Sequence, residues 1–352
     1  MRWLALVLAL TLVAGSMAAA AEVPPTPAAQ VQPPPDLPAL KAAYDRDPAD
    51  TRAAIEYVAG VLRAGQPALA RPVLYALLSR PSSLPASVAA EAWFQMGHVH
   101  LSAQEYEEAV ACWETVVRDH RASDRASGAA INAASVLLQV LGDPDRAYGR
   151  LTASLRDRTI AGPHLELANF LLFQIYVERR DYANARGLLA SLPGSGPRHD
   201  LIQDVIPVVL WKTGDEAAAR RQIEALFTGA ADDASALNNL AAVLASHGVA
   251  LDTAIAAAAR AIVLSDTRHD IWDTYAEALF RSGQIEKAIG AEEKAIALAT
   301  THTDQAEYRG RLARFKAARK PPMPAAVDIR FRRPFSWLES PPHAGDVSVS
   351  MS

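Results

Sequence analysis

Apolar and small residues recur along most of the chain with the spacing of amphipathic helices, and one position of this pattern is always alanine. Successive copies of that alanine lie 39, 38, 38, 34, 35 and 34 residues apart. The seven positions are Ala70, Ala109, Ala147, Ala185, Ala219, Ala254 and Ala288. Five or six residues before each alanine stands the expected turn residue: Gly65, Gln104, Gly142, Arg180, Gly214, Gly248 and Gly283. Since small residues let paired helices approach closely, the pattern predicts seven helical hairpins.

Composition favours helices over sheets. Hydrophobic residues make up 50% of the 352 residues, but aromatic residues only 7%. Much of the apolar content is alanine, the strongest helix former, rather than the β-branched and aromatic residues of strands. We therefore expect an all-α chain.

The two best copies of the pattern carry a recognisable motif. One reads AWFQMGHVHLSAQEYEEAVACWETVV at 92–117, with Trp93, Gly97 and Ala109 in its key positions, and another reads IWDTYAEALFRSGQIEKAIGAEEKAI at 271–296. Both resemble the tetratricopeptide repeat (TPR), which has a Trp, a Leu-Gly pair and a Tyr on its first helix and spaced small and aromatic residues on its second. The resemblance implies a right-handed superhelical solenoid of about seven helix-turn-helix repeats with a C-terminal capping helix.

The predicted solenoid covers residues 39–303. Its repeats are expected near 51–84, 90–122, 127–162, 166–199, 200–233, 235–268 and 269–302. Pro207 falls inside an expected first helix, so it should kink that helix or mark its first turn. Residues 304–319 place Tyr308, Leu312 and Phe315 on one face and predict the capping helix, since a terminal repeat otherwise exposes apolar surface. Residues 37–48 predict a short opening helix.

The amino terminus has the order of a secretory signal peptide at residues 1–21: Arg2, a short apolar run, and small residues that end at Ala21. Residues 22–38 form a Pro-rich spacer. We expect an exported, periplasmic protein that meets the membrane only transiently, through its signal peptide; secretion, or anchoring by an uncleaved signal segment, is the alternative. Cys112 is the single cysteine, so no disulfide framework exists, and its apolar neighbours predict burial.

Positive charge is concentrated near the carboxyl end. From Arg309 to Arg333 there are nine basic residues and one acid, a balance of +8, whereas the whole chain is −4 and the remainder therefore −12. This asymmetry favours contact with an anionic surface, or a solvated cap helix followed by a basic linker. The aromatic residues among these charges are few, so we expect no nucleic-acid partner. Residues 320–352 are expected to be a basic and apolar tail, partly disordered.

No catalytic, cofactor-binding or metal-binding motif stands out, so the sequence favours a protein that is not an enzyme and has no cofactor. His98 and His100 are two residues apart, which does not give the i, i+4 spacing of a helical zinc site. His100 occupies an aromatic position of its repeat and is expected to pack.

Binding is then the function to locate, and in this family the first helices line a concave groove. Residues one, five and eight places after the Trp position give a set of side chains that we call the stripe. Its members are Phe94, His98, Asn132, Gln139, Gln174, Asp204, Trp211, Asn238, Asp273 and Glu277. Asn132 and Asn238 are expected to hydrogen-bond an extended peptide or to be solvated; Phe94 and Trp211 are expected to anchor a ligand or to pack against a neighbouring repeat.

The leading hypothesis is a non-catalytic scaffold or adaptor of the bacterial cell envelope that binds segments of partner proteins along the stripe. The alternative is a periplasmic chaperone or carrier that holds exported client chains. The identity of the protein or peptide partner is not encoded in any motif of the sequence.

Overall fold

The computed structural model of the protein describes residues 36–80 and 84–319, and within them every regular element is helical. In chain order the α-helices are α1 Leu37–Arg46, α2 Thr51–Arg63, α3 Pro67–Leu78, α4 Ala86–Ser102, α5 Tyr106–Asp119, α6 Arg125–Gln139, α7 Pro144–Arg156, α8 His164–Glu178, α9 Tyr182–Leu188, α10 Pro197–Asp200, α11 Ile206–Lys212, α12 Glu216–Gly229, α13 Ala234–His247, α14 Leu251–Leu264, α15 His269–Arg281, α16 Ile285–Leu298 and α17 His302–Ala317. A 3₁₀ turn at Leu189–Ser191 extends α9. The prediction of an all-α chain is confirmed.

The helices form seven antiparallel hairpins that stack one on the next. Hairpins one to seven are α2 with α3, α4 with α5, α6 with α7, α8 with α9, α11 with α12, α13 with α14, and α15 with α16. First helices also contact first helices, as α4 does α6 and α13 does α15. This is a helical repeat solenoid, as the sequence predicted.

The alanine positions and the turn positions have opposite environments. All seven alanines from Ala70 to Ala288 are completely buried between paired helices. All seven predicted turn residues have a left-handed backbone, with φ between 60° and 91°. Five are glycine, which adopts this conformation without steric cost, while Gln104 and Arg180 adopt it against that cost.

Three of the turns end in the same way. Asp143, Asp181 and Asp215 directly follow the left-handed residue, and the side chain of each accepts a hydrogen bond from a backbone N–H in the first turn of the second helix. An N-terminal helix turn leaves such N–H groups unpaired, so an aspartate there stabilises the start of the helix. A left-handed residue followed by aspartate therefore encodes these hairpins locally.

Hairpin two depends on a close approach between α4 and α5. The indole Nε1 of Trp113 donates to the carbonyl of Phe94 at 3.1 Å, and the ring is fully buried. A Cβ added to Gly97 would lie 2.4 Å from Trp113 Nε1, too close to be accommodated. Gly97 thus makes room for the large side chain of its partner helix.

Hairpins four and five depart from the regular pattern. The second helix of hairpin four stops at Leu188, and Leu192 is extended because Pro193 follows it. The first helix of hairpin five is the seven-residue α11, with Pro207 in its first turn, where the missing N–H costs nothing. Pro207 therefore marks a helix start rather than a kink.

Each end of the array carries one additional helix. At the start, α1 lays Leu37 and Leu40 against Gly60 of α2. At the other end, α17 buries Phe315 completely, and its ring stacks on Phe280 with centroids 4.4 Å apart. The opening and capping helices are thus present.

The capping helix starts at His302, before the predicted position 304. Thr301 is its N-cap, because its Oγ1 accepts from the backbone N–H of Asp304 at 3.0 Å. Three predicted regions lie outside the described residues: the signal peptide at 1–21, most of the spacer at 22–38, and the tail at 320–352.

Candidate functional site

The stripe follows the first helices from α4 to α15, except that Asp204 lies in the turn before α11. Its amino-terminal end is closed by packing. Phe94 is only 7% exposed, and its ring lies 4.9 Å from that of His98 and 5.2 Å from the Arg125 guanidinium of α6. The His98 ring also contacts Trp113. Burial, with a smaller effect of Arg125, lowers the pKa of His98 to about 4. Phe94 and His98 therefore join hairpins two and three and are not presented to a ligand, because the next first helix covers them.

The carboxyl-terminal end of the stripe is covered by α17. Asp273 Oδ2 accepts from Arg311 at 2.6 Å, while Glu277 accepts from Arg281 at 2.6 Å and from Arg314. Asp273 and Glu277, which the sequence predicted to bind a partner, are therefore paired with arginines of the capping helix. These ion pairs fix α17 to hairpin seven.

Ion pairs with hairpin seven account for four of the nine basic residues of the basic segment. Within the described residues, Lys316 pairs with Glu293 at 2.9 Å and Arg319 with Glu286 at 2.6 Å, in addition to the pairs of Arg311 and Arg314. The four cations face carboxylates of hairpin seven rather than an external anion. An anionic contact remains a prediction only for basic residues beyond Arg319.

Glu292 on α16 is a fully buried carboxyl group that no sequence motif indicated. Both of its oxygens are buried without a hydrogen-bond partner among the described residues. Burial, and then the neighbouring Asp273, raise the pKa of Glu292 to about 9; burial also raises the pKa of Asp273 to about 6. The signal was its spacing, four residues after Ala288 and three before Ala295, which places it on the alanine-lined buried face.

Trp211 occupies an intermediate position. Its ring is half-buried, and the guanidinium of Arg220 on α12 lies 4.6 Å from the ring centroid. Arg220 is in turn paired with Glu216 at 2.6 Å. One face of the indole is thus covered from within hairpin five, which weakens its case as an anchor for a ligand.

The middle of the stripe, on hairpins three to six, differs from both ends. Its five polar side chains make no hydrogen bond or ion pair with any residue that the structure describes. They are the four amides Asn132, Gln139, Gln174 and Asn238 and the carboxyl side chain of Asp204, and we call these five the central amide set. Gln139 Nε2 and Asn238 Oδ1 are buried without a partner, and Asn238 is only 8% exposed, so it is not a solvated surface amide. Burial raises the pKa of Asp204 to about 6.

Neither a family model nor a curated protein matches the sequence. Among solved structures, a tetratricopeptide repeat protein from Parabacteroides merdae ATCC 43184 matches with a TM-score of 0.53 and 14% identity, over 75% of this chain and 98% of that one. The chain has the TPR fold. A thermophilic TPR protein from Thermus thermophilus matches with a TM-score of 0.30 and 18% identity, over 65% of this chain and all 100% of that one.

The TPR hairpins one and two border an open cleft of about 460 Å³ that is lined mainly by apolar side chains, among them Trp93, Met96 and Cys112. Cys112 is buried as predicted, and burial raises the pKa of its thiol to about 12, so it is not a reactive thiolate. His100 is 8% exposed, and its Nδ1 lies 2.5 Å from Glu105 Oε2. Arg71 of hairpin one holds the same carboxylate with two hydrogen bonds, which makes this a structural link between TPR hairpins.

Over residues 36–80 and 84–319, no group of three or more His, Cys, Asp or Glu side chains is arranged to hold a metal ion. In the same part of the TPR chain, no helix has the length and apolar character needed to cross a membrane.

Proposed function

We propose that this TPR protein is a non-catalytic scaffold that binds an extended segment of a partner protein along the central amide set. The observation that carries the proposal is the contrast within the stripe: packing or ion pairs occupy its ends, whereas Asn132, Gln139, Gln174, Asp204 and Asn238 keep their hydrogen-bonding capacity. An unpaired buried polar atom costs about 1–3 kcal/mol, so a ligand that pairs it recovers part of that cost.

A peptide backbone fits this chemistry. A carboxamide has both an N–H donor and a C=O acceptor, the two functions that an extended backbone presents at every residue. The central amide set lies on hairpins that follow one another in the array, so its members can serve positions spaced along one extended segment. Because every peptide has the same backbone, recognition through the backbone needs no charged or metal-binding motif in the sequence.

The proposed cellular location is the bacterial periplasm, with a role in assembling envelope proteins. It is supported by the signal-like order of residues 1–21 and the Pro-rich segment at 22–38. Fractionation of producing cells, with mass spectrometry of the mature amino terminus, tests it. A mature chain that begins near Ala21 in the periplasmic fraction is expected, and a cytoplasmic chain that retains Met1 overturns the location.

A peptide-display selection on the immobilised full-length protein tests the binding function. Selected peptides are compared on the protein itself, on Asn132→Ala/Gln174→Ala, and on the control Gln222→Ala/Thr228→Ala, whose exposed residues lie on α12. Losing two hydrogen bonds of about 1 kcal/mol each weakens binding roughly 10- to 30-fold. The control should change the dissociation constant less than twofold.

The outcomes separate three possibilities. Selected peptides that lose affinity only in the stripe variant support the scaffold. If the selected peptides bind both variants with equal affinity, the binding site lies elsewhere and the proposal is overturned. Indiscriminate binding of unrelated unfolded chains, with suppression of their aggregation, identifies a carrier instead.

A further inference from the structure

Helix α3 is apolar on nearly every side, although one of its faces is turned to solvent. Its residues, Pro67–Leu78, include a single charged side chain, Arg71, which is paired with Glu105 of hairpin two. On the open face, Leu69 is 46% exposed and Tyr75 is 54% exposed. A helix that is apolar all round is ordinarily covered, and a surface helix carries polar residues on its open side. The open face of α3 therefore has the character of a surface that another segment covers.

This face continues into the cleft between hairpins one and two. Tyr75 and Leu78 line the cleft from α3, and Trp93 and Met96 line it from α4. Met96 is fully buried, whereas Leu78 and Trp93 are half-buried. Among the described residues that line the cleft, Glu108 is the only Asp, Glu, Lys or Arg. The cleft thus combines two aromatic rings with aliphatic surface and suits an uncharged occupant.

Both aromatic residues keep a hydrogen-bond donor free. Neither the hydroxyl of Tyr75 nor the indole N–H of Trp93 is bonded to a residue that the structure describes. By contrast, Trp113 and Trp272 donate to backbone carbonyl oxygens at 3.1 and 2.8 Å. An occupant that satisfies the cleft offers apolar surface together with free carbonyl acceptors. A polyproline II segment offers both, because its rings are apolar and its carbonyl groups make no internal hydrogen bonds.

A segment of this composition directly precedes α1. Residues 23–35 read VPPTPAAQVQPPP, with six prolines and no charged residue. They end next to Asp36, the N-cap of α1, and α1 packs on α2 of hairpin one. In the polyproline conformation such a segment spans about 40 Å, at about 3.1 Å per residue. Packed helices lie about 8–10 Å apart, so both walls of the cleft are within its reach.

The carboxyl-terminal tail is a poorer match for the cleft. It follows Arg319, at the end of α17, and hairpins three to seven separate that helix from the cleft. Residues 320–333 also carry four basic side chains and one acidic one. Burial of charged groups against apolar walls costs free energy unless each group is paired. Position and charge therefore favour the amino-terminal segment.

We infer that residues 23–35 lie in the cleft of their own chain, with prolines against Tyr75 and Trp93, and cover the open face of α3. The contact is intramolecular, so the short connection to α1 supplies a high effective concentration and a weak contact suffices. The Pro-rich segment is then part of the fold at hairpin one rather than a spacer. The cleft shares no lining residue with the stripe, so this inference does not depend on the proposed function.

Photo-cross-linking in the full-length protein tests the inference. The variant Tyr75→p-benzoylphenylalanine places the cross-linker on the open face of α3, and Leu165→p-benzoylphenylalanine places it at an exposed position on α8 as the control. Mass spectrometry should find position 75 joined to residues 23–35 of the same chain, with a yield that does not fall on dilution. Position 165 should not be joined to that segment.

The alternative products each overturn the inference. Joining of position 75 to residues 320–352 assigns the cleft to the tail, and joining to a second chain, lost on dilution, assigns it to another copy. Joining only to neighbouring residues of hairpins one and two means that the cleft is open to solvent.

Replacement of prolines separates specific docking from chance proximity. One variant of the cross-linking protein changes all six prolines of residues 23–35 to serine, and its matched control changes the six prolines of residues 320–352. The first should lower the yield about fivefold, because a flexible segment loses more conformational entropy when it docks. The control should leave the yield unchanged. Equal yields from the two variants overturn the inference.

Discussion

The hydroxyl of Tyr182 is hydrogen-bonded to Nδ1 of His247 at 2.8 Å, although 65 residues and all of hairpin five separate them. Tyr182 begins the second helix of hairpin four, and His247 ends the first helix of hairpin six. In a solenoid each repeat ordinarily contacts only its neighbours. This pair crosses hairpin five, whose first helix α11 has only seven residues, and is a contact between next-nearest neighbours.

Replacement of Tyr182 by Phe removes this bond and keeps the ring. The free energy of unfolding should fall by about 1 kcal/mol, the net value of one hydrogen bond, measured by urea denaturation. Tyr106→Phe is the control, because the Tyr106 hydroxyl has no hydrogen bond with the described residues and its loss should change stability little. If the two changes had equal effects, the hydrogen bond between Tyr182 and His247 would make no measurable contribution to stability.

Replacement of Glu292 by Gln should stabilise the protein increasingly as the pH rises. The folded protein holds the Glu292 proton up to a pKa of about 9, whereas the unfolded chain releases it near 4.5. The stability that this group contributes is complete below pH 4.5 and is lost as the pH rises towards 9. Relative to the wild type, Glu292→Gln should gain on the order of 1 kcal/mol per pH unit between pH 5 and 8.

Urea titrations at pH 5, 6, 7 and 8 measure this difference. The control Glu224→Gln, at an exposed position on α12, should show no such trend. A pH-independent difference for Glu292→Gln would mean that this carboxyl group is ionised in the folded protein.

Replacement of Arg311 by Ala should loosen the capping helix. It leaves Asp273 without its cation beside the buried Glu292, at a cost of about 2–3 kcal/mol. Hydrogen exchange should show faster exchange along α17, with hairpins one to three unchanged. Arg309→Ala removes an exposed cation that contacts Gln305, and should have little effect. Restoration of stability in Arg311→Leu/Asp273→Leu would show that the unpaired charge, and not lost packing, causes the defect.

Gly97 and Gly149 offer a matched pair of Gly→Ala changes. Both lie inside helices, but a Cβ at Gly97 meets the Trp113 ring at 2.4 Å, whereas a Cβ at Gly149 meets nothing within 4 Å. Gly97→Ala should destabilise by about 1–3 kcal/mol through overpacking, and Gly149→Ala should stabilise by up to about 1 kcal/mol through helix propensity. Guanidinium denaturation measures both. Opposite signs are expected, and a stabilised Gly97→Ala would contradict the close approach of α4 and α5.

The repeat register was readable from the sequence because one small residue per hairpin must be buried wherever two helices meet closely. That register located even the turns at Gln104 and Arg180, which lack glycine. The role of the stripe was only partly readable. Spacing identifies the face of a helix, but it does not say whether solvent, the next first helix or α17 covers that face. It therefore predicted a partner contact for Asp273, which α17 covers, and left Phe94 between ligand binding and the packing that the structure shows.

Hairpins four and five show a second limit of sequence reasoning. Pro207 predicted a kink or a helix start at that position. The length of α11 also depends on where the chain turns after Pro197, and the hydrophobic periodicity does not show that turn. Glu292 shows a third limit. Its spacing places it on the buried face of α16, whereas a carboxyl group is usually exposed, and packing among Ala288, Ala291 and Ala295 prevails.

The two end helices fix how many hairpins one array contains. Stacked repeats are self-complementary, so an uncovered terminal hairpin is a template on which another copy can add, head to tail, without limit. Leu40 fills that position against Gly60 at one end, and Phe315 against Phe280 at the other. The array is thereby a unit of defined length, and under the proposed function a partner segment that spans it meets one set of positions in one order.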